Sequence, residues 1–129
     1  MFVKVQIPVN LYGAFVHALK SEPGCATPAL AAEAALAAGI RILDQNNNVV
    51  LLEQRIRHQA KKQHVSSNPR SIRTNEATTA ELTRLGNLHG IAGRNRIATE
   101  CICQYLYSQG IITVEGNQIL FKQPVNLDG

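Results

Sequence analysis

The chain has 129 residues, of which 45% are hydrophobic and 17% are charged, and its formal net charge is +4. This length suits one compact domain or two very small units, and the composition excludes a wholly disordered chain. No apolar run is long enough for a membrane span, and the alternating stretch from Phe2 to Ile7 lacks the apolar core of a signal peptide. We therefore expect a cytoplasmic protein without membrane association.

The first predicted unit is a strand followed by two helices. The strand alternates at a period of two, which gives it an apolar face of Val3, Val5 and Ile7 and an opposite face of Phe2, Lys4 and Gln6. A first amphipathic helix is predicted over 10–20. Thr27 as N-cap and Pro28 in the first helical position predict a second, Ala-rich helix, which ends at Gly39 or Leu43. Small alanine side chains would let a partner helix approach closely.

A basic segment follows the first unit. From residue 53 to residue 73 a single acid, Glu53, accompanies six cations: Arg55, Arg57, Lys61, Lys62, Arg70 and Arg73. Such a concentration of positive charge suits the phosphate backbone of a nucleic acid. We expect the segment to be helical as far as about residue 64, and we interpret 53–69 as a linker between units at 1–52 and 70–129.

The second predicted unit repeats the first in outline. A strand is predicted over 70–78, a helix over 79–89 with Thr79 as its cap, and a helix over 95–109 with Asn95 as its cap. The stretch Leu30 to Glu33 also matches Ile97 to Glu100. Residues 111–121 then predict a β-hairpin with Asn117 at its tip.

No catalytic or metal-binding constellation emerges from the sequence. There is no glycine-rich phosphate loop, no nucleophile elbow and no paired-histidine zinc motif. The three cysteines, Cys25, Cys101 and Cys103, are an odd number and a poor disulfide framework, and the histidines do not lie at ligand spacing from them. We expect no enzymatic activity and no metal or cofactor.

Three short motifs resemble the ribbon-helix-helix family of DNA-binding proteins, of the MetJ/Arc type. These are VKVQIP at 3–8, TPALAAEA at 27–34 and, as part of a second copy, GRNRIATE at 93–100. The resemblance implies that two strands, one from each unit, pair antiparallel into a ribbon that enters the DNA major groove. The implied fold is mainly α with short β-strands (α+β), a tandem ribbon-helix-helix. The chain would be a monomeric pseudo-dimer, or a homodimer if the first unit pairs with its own copy.

The resemblance also implies which residues touch double-stranded DNA. The groove-facing positions would be Phe2, Lys4 and Gln6 on the first strand and Arg73, Asn75 and Ala77 on the second. Thr27 and Asn95, at the starts of the second helices, would clamp phosphate, with Arg94 and Arg96 adding charge. The predicted function is sequence-specific DNA binding, as a transcriptional repressor or as an accessory factor of plasmid or mobile DNA.

Two alternatives remain open at the level of sequence. The C-terminal half also resembles a winged helix, in which Arg94, Asn95, Arg96 and Thr99 would head a recognition helix and Asn117 would lie at the tip of the wing. A non-catalytic protein–protein interaction module, whose basic segment binds an acidic partner, is the alternative that needs no DNA.

Overall fold

The computed structural model describes residues 3–7, 11–12, 27–45, 50–62, 70–116 and 118–121, with the side chains of all of these except 3, 59–62 and 70. Within these ranges the chain forms four helices and two two-stranded antiparallel sheets, which confirms the α+β class. In chain order they are β1 (Val3–Ile7), α1 (Pro28–Gln45), α2 (Glu53–Lys62), β2 (Arg70–Thr74), α3 (Glu76–His89), α4 (Arg94–Ser108), β3 (Ile112–Glu115) and β4 (Gln118–Phe121). None of the described helices is both long and apolar enough to cross a membrane.

Strands β1 and β2, which lie far apart in the sequence, pair antiparallel into one ribbon. Val5 is aligned with Ile72 at its centre, with Lys4 opposite Arg73 and Gln6 opposite Ser71 on either side. The ribbon's inner face is buried and consists of Val5, Ile7, Ile72 and Thr74. Because a slip of one residue would turn these side chains to solvent, the buried face holds the register in place.

Helices α1 and α4 pack against each other below the ribbon and form the centre of the core. Both helices bury a set of residues with the same spacing, Ala31, Ala32, Ala35 and Leu36 on α1 and Ile97, Ala98, Cys101 and Ile102 on α4, and α4 is also buried between these positions. The helices touch at Gly39, where an added Cβ atom would lie 1.9 Å from the carbonyl oxygen of Cys101. The close partner that the alanine-rich sequence predicts for α1 is therefore α4.

The basic segment begins with a helix that is anchored to the core by a buried carboxylate. The backbone N–H of Leu52 donates to both carboxylate oxygens of Glu100, at 2.9 and 2.8 Å, and the N–H of Glu53 donates to Oε1 at 3.1 Å. Gln104 Nε2 donates to Glu100 Oε2 at 2.9 Å and to the carbonyl oxygen of Val50 at 2.8 Å. Glu100 thus caps the N-terminus of α2 and fixes that helix to α4.

Replacing this carboxylate should reduce stability in a pH-dependent way. Burial raises the pKa of Glu100 above its ordinary value, against the opposing hydrogen bonds from Gln104, Glu53 and Leu52. The folded state therefore binds the proton more tightly than the unfolded chain does, so this group's stabilisation is complete below the ordinary glutamate pKa and is lost as pH rises through the folded-state pKa. Glu100→Gln removes the titration and turns a donor toward an N–H group, at a cost of about 1–3 kcal/mol.

Urea unfolding of both proteins across a pH series measures this effect. The difference in unfolding free energy between the wild type and Glu100→Gln should be largest at acidic pH and should shrink toward neutral pH. Using the difference cancels the contributions of the other carboxyl groups. A difference that does not change with pH would contradict the role given to Glu100.

Several predicted boundaries are wrong. The second strand ends at Thr74 instead of residue 78, because Asn75 caps α3 and its Oδ1 accepts from the N–H of Thr78 at 2.8 Å. Asn75 and Ala77 therefore do not lie on the strand. Thr79 lies inside α3, where its Oγ1 donates to the carbonyl oxygen of Asn75 at 2.9 Å.

The remaining elements follow the predictions more closely. Helix α1 begins as expected, with the N–H of Leu30 donating to Thr27 Oγ1 at 3.2 Å, and it continues past Gly39 to Gln45. Gly93, and not Asn95, is the N-cap of α4. The predicted helix over 10–20 lies outside the described residues, apart from 11–12, which are helical. The predicted hairpin is formed by β3 and β4, and its predicted tip at residue 117 lies outside the described residues.

Candidate nucleic-acid interface

The exposed face of the ribbon is polar and positively charged. It carries Lys4 and Gln6 from β1 and Ser71 and Arg73 from β2. Lys4 and Arg73 are direct cross-strand neighbours, and like charges in that position destabilise a sheet. Neither cation forms an ion pair with a described acid. A face that places two cations together at a cost to folding is suited to binding an anion.

The first turn of α4 extends this positive face beside β1. A cavity of about 490 Å³ at the junction is lined by Lys4, Gln6, Ser71, Gly93, Arg94, Asn95 and Arg96. Gly93, with φ of 100°, begins the helix without a side-chain cap, so no described side chain accepts the free N–H groups of the first turn. Those donors and the helix dipole favour negative charge, and the exposed guanidinium groups of Arg94 and Arg96 reinforce them.

Asn95 connects the two parts of this surface. The backbone N–H of Gln6 donates to Asn95 Oδ1 at 2.9 Å, on the edge of β1 that faces away from β2. An unpaired strand edge otherwise presents free N–H groups, and Asn95 satisfies one of them. The side chain predicted as a helix cap and phosphate ligand therefore holds the exposed strand against α4.

We expect Asn95→Ala to loosen β1, because Gln6 loses its protein acceptor. The cost should be about 1 kcal/mol, and hydrogen exchange of the Gln6 amide should become faster. Asn95→Asp is the matched control, since it keeps the acceptor and should preserve the slow exchange. The aspartate adds a negative charge beside Arg94 and Arg96, however, so DNA affinity should fall in both variants. Equal exchange rates in Asn95→Ala and the wild type would contradict the assignment.

The structure brings together only part of the predicted site. Six of the predicted residues share the surface made by the ribbon and the start of α4: Lys4, Gln6, Arg73, Arg94, Asn95 and Arg96. Ser71 was missed. Strand alternation could have identified it, because a buried Ile72 at the middle of a five-residue strand places the side chains of both neighbours on the exposed face.

The other predicted residues serve helix ends or lie elsewhere. Thr27 and Asn75 cap α1 and α3. Arg57 pairs with Glu53, with Nε 3.5 Å from Oε2, and Arg55 Nη1 donates to the carbonyl oxygen of Leu51. Both belong to α2, which packs against α4 and β4. Outside the description are Phe2 and the side chains of Lys61, Lys62 and Arg70.

The described chain holds two free cysteines, Cys101 and Cys103, and both are buried. Burial raises the pKa of Cys101 to about 12 and raises that of Cys103 well above its usual value. Both therefore stay protonated at neutral pH, and a thiol in that state is neither a nucleophile nor a metal ligand. Within the described ranges, no three His, Cys, Asp or Glu side chains are grouped so that they could hold a metal ion.

Comparison with known proteins returned no matching family model, no matching curated protein and no matching solved structure.

Proposed function

We propose that the chain is a sequence-specific double-stranded DNA-binding protein of the tandem ribbon-helix-helix type. The observation that carries the proposal is the antiparallel pairing of β1 with β2, which exposes four polar side chains and opposes Lys4 to Arg73. The biological role that fits such a protein is that of a transcriptional repressor or of an accessory factor of plasmid or mobile DNA.

The size and chemistry of the ribbon suit the major groove. That groove is about 12 Å wide, admits a two-stranded ribbon, and presents a distinct pattern of donors and acceptors for each base pair. Lys4 and Arg73 are suited to the guanine acceptors, and Gln6 to the N6 and N7 atoms of adenine. The Ser71 hydroxyl can donate or accept. These four side chains would read the base sequence. The first turn of α4 would bind the sugar-phosphate backbone of the DNA and so fix the orientation of the protein.

The packing beneath the ribbon supports two units within one chain. Helix α1 comes after β1 in the sequence, and α4 comes after β2 and α3. Helices α1 and α4 pack together under the paired strands. The four buried positions Ala31, Ala32, Ala35 and Leu36 of α1 have counterparts at Ile97, Ala98, Cys101 and Ile102 of α4, which is buried at further positions as well. On this proposal a single chain supplies both strands of the ribbon and binds DNA as a monomer.

The burial of α4 argues against the winged-helix alternative. A recognition helix must present a long face to the groove. In α4 the buried residues run without interruption from Ile97 to Gln104 and include Leu106. Of the four residues that would head such a helix, three are exposed but Thr99 is 4% exposed. The exposed residues of α4 lie in its first turn, which belongs to the surface beside the ribbon, and at its C-terminal end, at Tyr107 and Ser108.

Salt-dependent binding to a mixed-sequence duplex, followed by fluorescence anisotropy, tests the proposal. The logarithm of affinity should fall with the logarithm of salt concentration by about 0.9 for each phosphate neutralised. Contacts from Arg94 and Arg96 alone therefore predict a slope of about −2. Failure to bind at low salt, or a slope near zero, would contradict DNA binding.

A pair of single variants separates a local surface from an effect of overall charge. Arg73→Ala removes one positive charge from the ribbon, and it should weaken duplex binding. Arg84→Ala removes the same charge from α3, where the guanidinium is already held by Asp44 at 2.7 Å and by Glu81. It should leave binding unchanged. Equal losses in both variants would show that net charge, and not the ribbon, governs the interaction.

A further inference from the structure

The two flanks of the ribbon differ in charge. Each long helix meets the ribbon near its first turns, α4 beside β1 and α1 beside β2, and a cavity lies at each junction. The described lining of the β1 cavity includes three cations and no acid, namely Lys4, Arg94 and Arg96. The β2 cavity, of about 380 Å³, has one cation, Arg73, and one acid, Glu33. Among the described residues, the β1 flank therefore attracts a polyanion, whereas the charges of the β2 flank are balanced.

The backbone donors differ in the same direction. The first turn of α4 has no side-chain cap. On α1 the Leu30 N–H is taken by Thr27 Oγ1 at 3.2 Å, and Pro28 has no N–H to offer. Glu33 is exposed on the second turn of α1, where its charge opposes an approaching phosphate. Among the described residues the β2 flank thus offers one guanidinium group, that of Arg73, against two at the start of α4, and fewer free N–H groups than the β1 flank.

The two strands also present different side chains to the groove. Reading outward from the central pair of Val5 and Ile72, β1 offers Lys4 and Gln6, whereas β2 offers Ser71 and Arg73. A symmetric dimer presents the same residues to both half-sites and so reads a palindrome. A ribbon made of two different strands lacks this two-fold symmetry and therefore does not require a palindromic site.

We propose that the chain binds a non-palindromic duplex site in a single orientation and holds the sugar-phosphate backbone with Arg94 and Arg96 on the β1 flank only. This inference rests on the proposed DNA-binding function. It adds that the contacts to phosphate are one-sided and that Glu33 keeps the other flank free of them.

Selection of sites from a random duplex pool, followed by ethylation interference on a selected duplex, tests the orientation. The selected sequence should lack two-fold symmetry, and ethylated phosphates should weaken binding on one flank of the recognised base pairs. A palindromic site, or interference of equal strength on both flanks, would overturn the inference and leave DNA binding standing. Failure to select any duplex would overturn the proposed function and the inference together.

Exposed-residue variants assign the contacts to the two flanks. Arg94→Ala combined with Arg96→Ala should reduce the salt slope by about 1.8 and remove the one-sided interference. Glu33→Lys should steepen the slope by about 0.9 and add interference on the opposite flank. Arg84→Ala, on α3, is the control and should change neither. Two results would contradict phosphate contacts on the β1 flank only. One is an interference pattern that is unchanged in the Arg94/Arg96 double variant. The other is a Glu33→Lys variant without new interference on the β2 flank.

Discussion

Lys4→Ala combined with Gln6→Ala should abolish the preference for a selected DNA site and leave the fold intact. Both side chains are exposed on β1, so the free energy of unfolding should change by no more than about 0.5 kcal/mol. Each good contact to a base edge contributes about 1–3 kcal/mol of discrimination. Two lost contacts should therefore bring the affinity for the selected site close to that for random DNA. Competition binding with the two duplexes measures the ratio.

The control removes the same kinds of side chain from the basic helix. Gln54→Ala combined with Arg57→Ala deletes an amide and a cation on α2, which packs against α4 and β4. This variant should keep the preference for the selected site. If the β1 double variant retains the wild-type preference instead, the ribbon does not read the sequence and the proposed mode of binding is wrong.

The second large effect concerns the fold. Gly39→Ala should destabilise the protein strongly, because the new Cβ atom would lie 1.9 Å from the Cys101 carbonyl oxygen and 2.7 Å from its Cα. These are backbone atoms that cannot rotate away, so α1 and α4 must separate. Overpacking costs about 1–3 kcal/mol and occasionally more, and a clash with backbone atoms places Gly39→Ala at the upper end of this range. The midpoint of urea unfolding should shift to a much lower concentration.

Helix propensity predicts the opposite sign for the same change. On propensity alone, glycine to alanine inside a helix stabilises by about 1 kcal/mol. Ala37→Gly, at an exposed position of the same helix, is the control and should cost about that amount. A Gly39→Ala protein as stable as the wild type, or more stable, would contradict the close crossing of α1 and α4 on which the placement of the ribbon depends.

The elements with strong local signals could be predicted from the sequence. Alternation identified β1, and Thr27 with Pro28 identified the start of α1, because caps and period-two patterns depend on neighbouring residues alone. The end of β2 was placed wrongly. Beyond Thr74, which pairs with Val3 at the described end of β1, strand pairing competes with helix capping, and Asn75 caps α3. That competition depends on the partner strand.

Two tertiary contacts, one in the candidate interface and one in the core, lacked a local signal. Asn95 and Gln6 are 89 residues apart in the sequence, so a helix-start asparagine was predicted as a cap when it supports a strand edge. Glu100 lies in the stretch that resembles 30–33, yet Glu33 is exposed and Glu100 is buried under α2. The repeat predicts equal environments for these two acids, and the position of α2 makes them different.

An amide chemical-shift titration of the labelled chain with a short duplex at low salt tests the central claim most directly. We predict that the largest changes occur at Lys4, Gln6, Ser71, Arg73 and the first turn of α4, and that they saturate at one chain per duplex site. Changes confined to α2 or to the hairpin of β3 and β4, or a spectrum unaltered by DNA, would contradict the proposal that this ribbon is a DNA-reading surface.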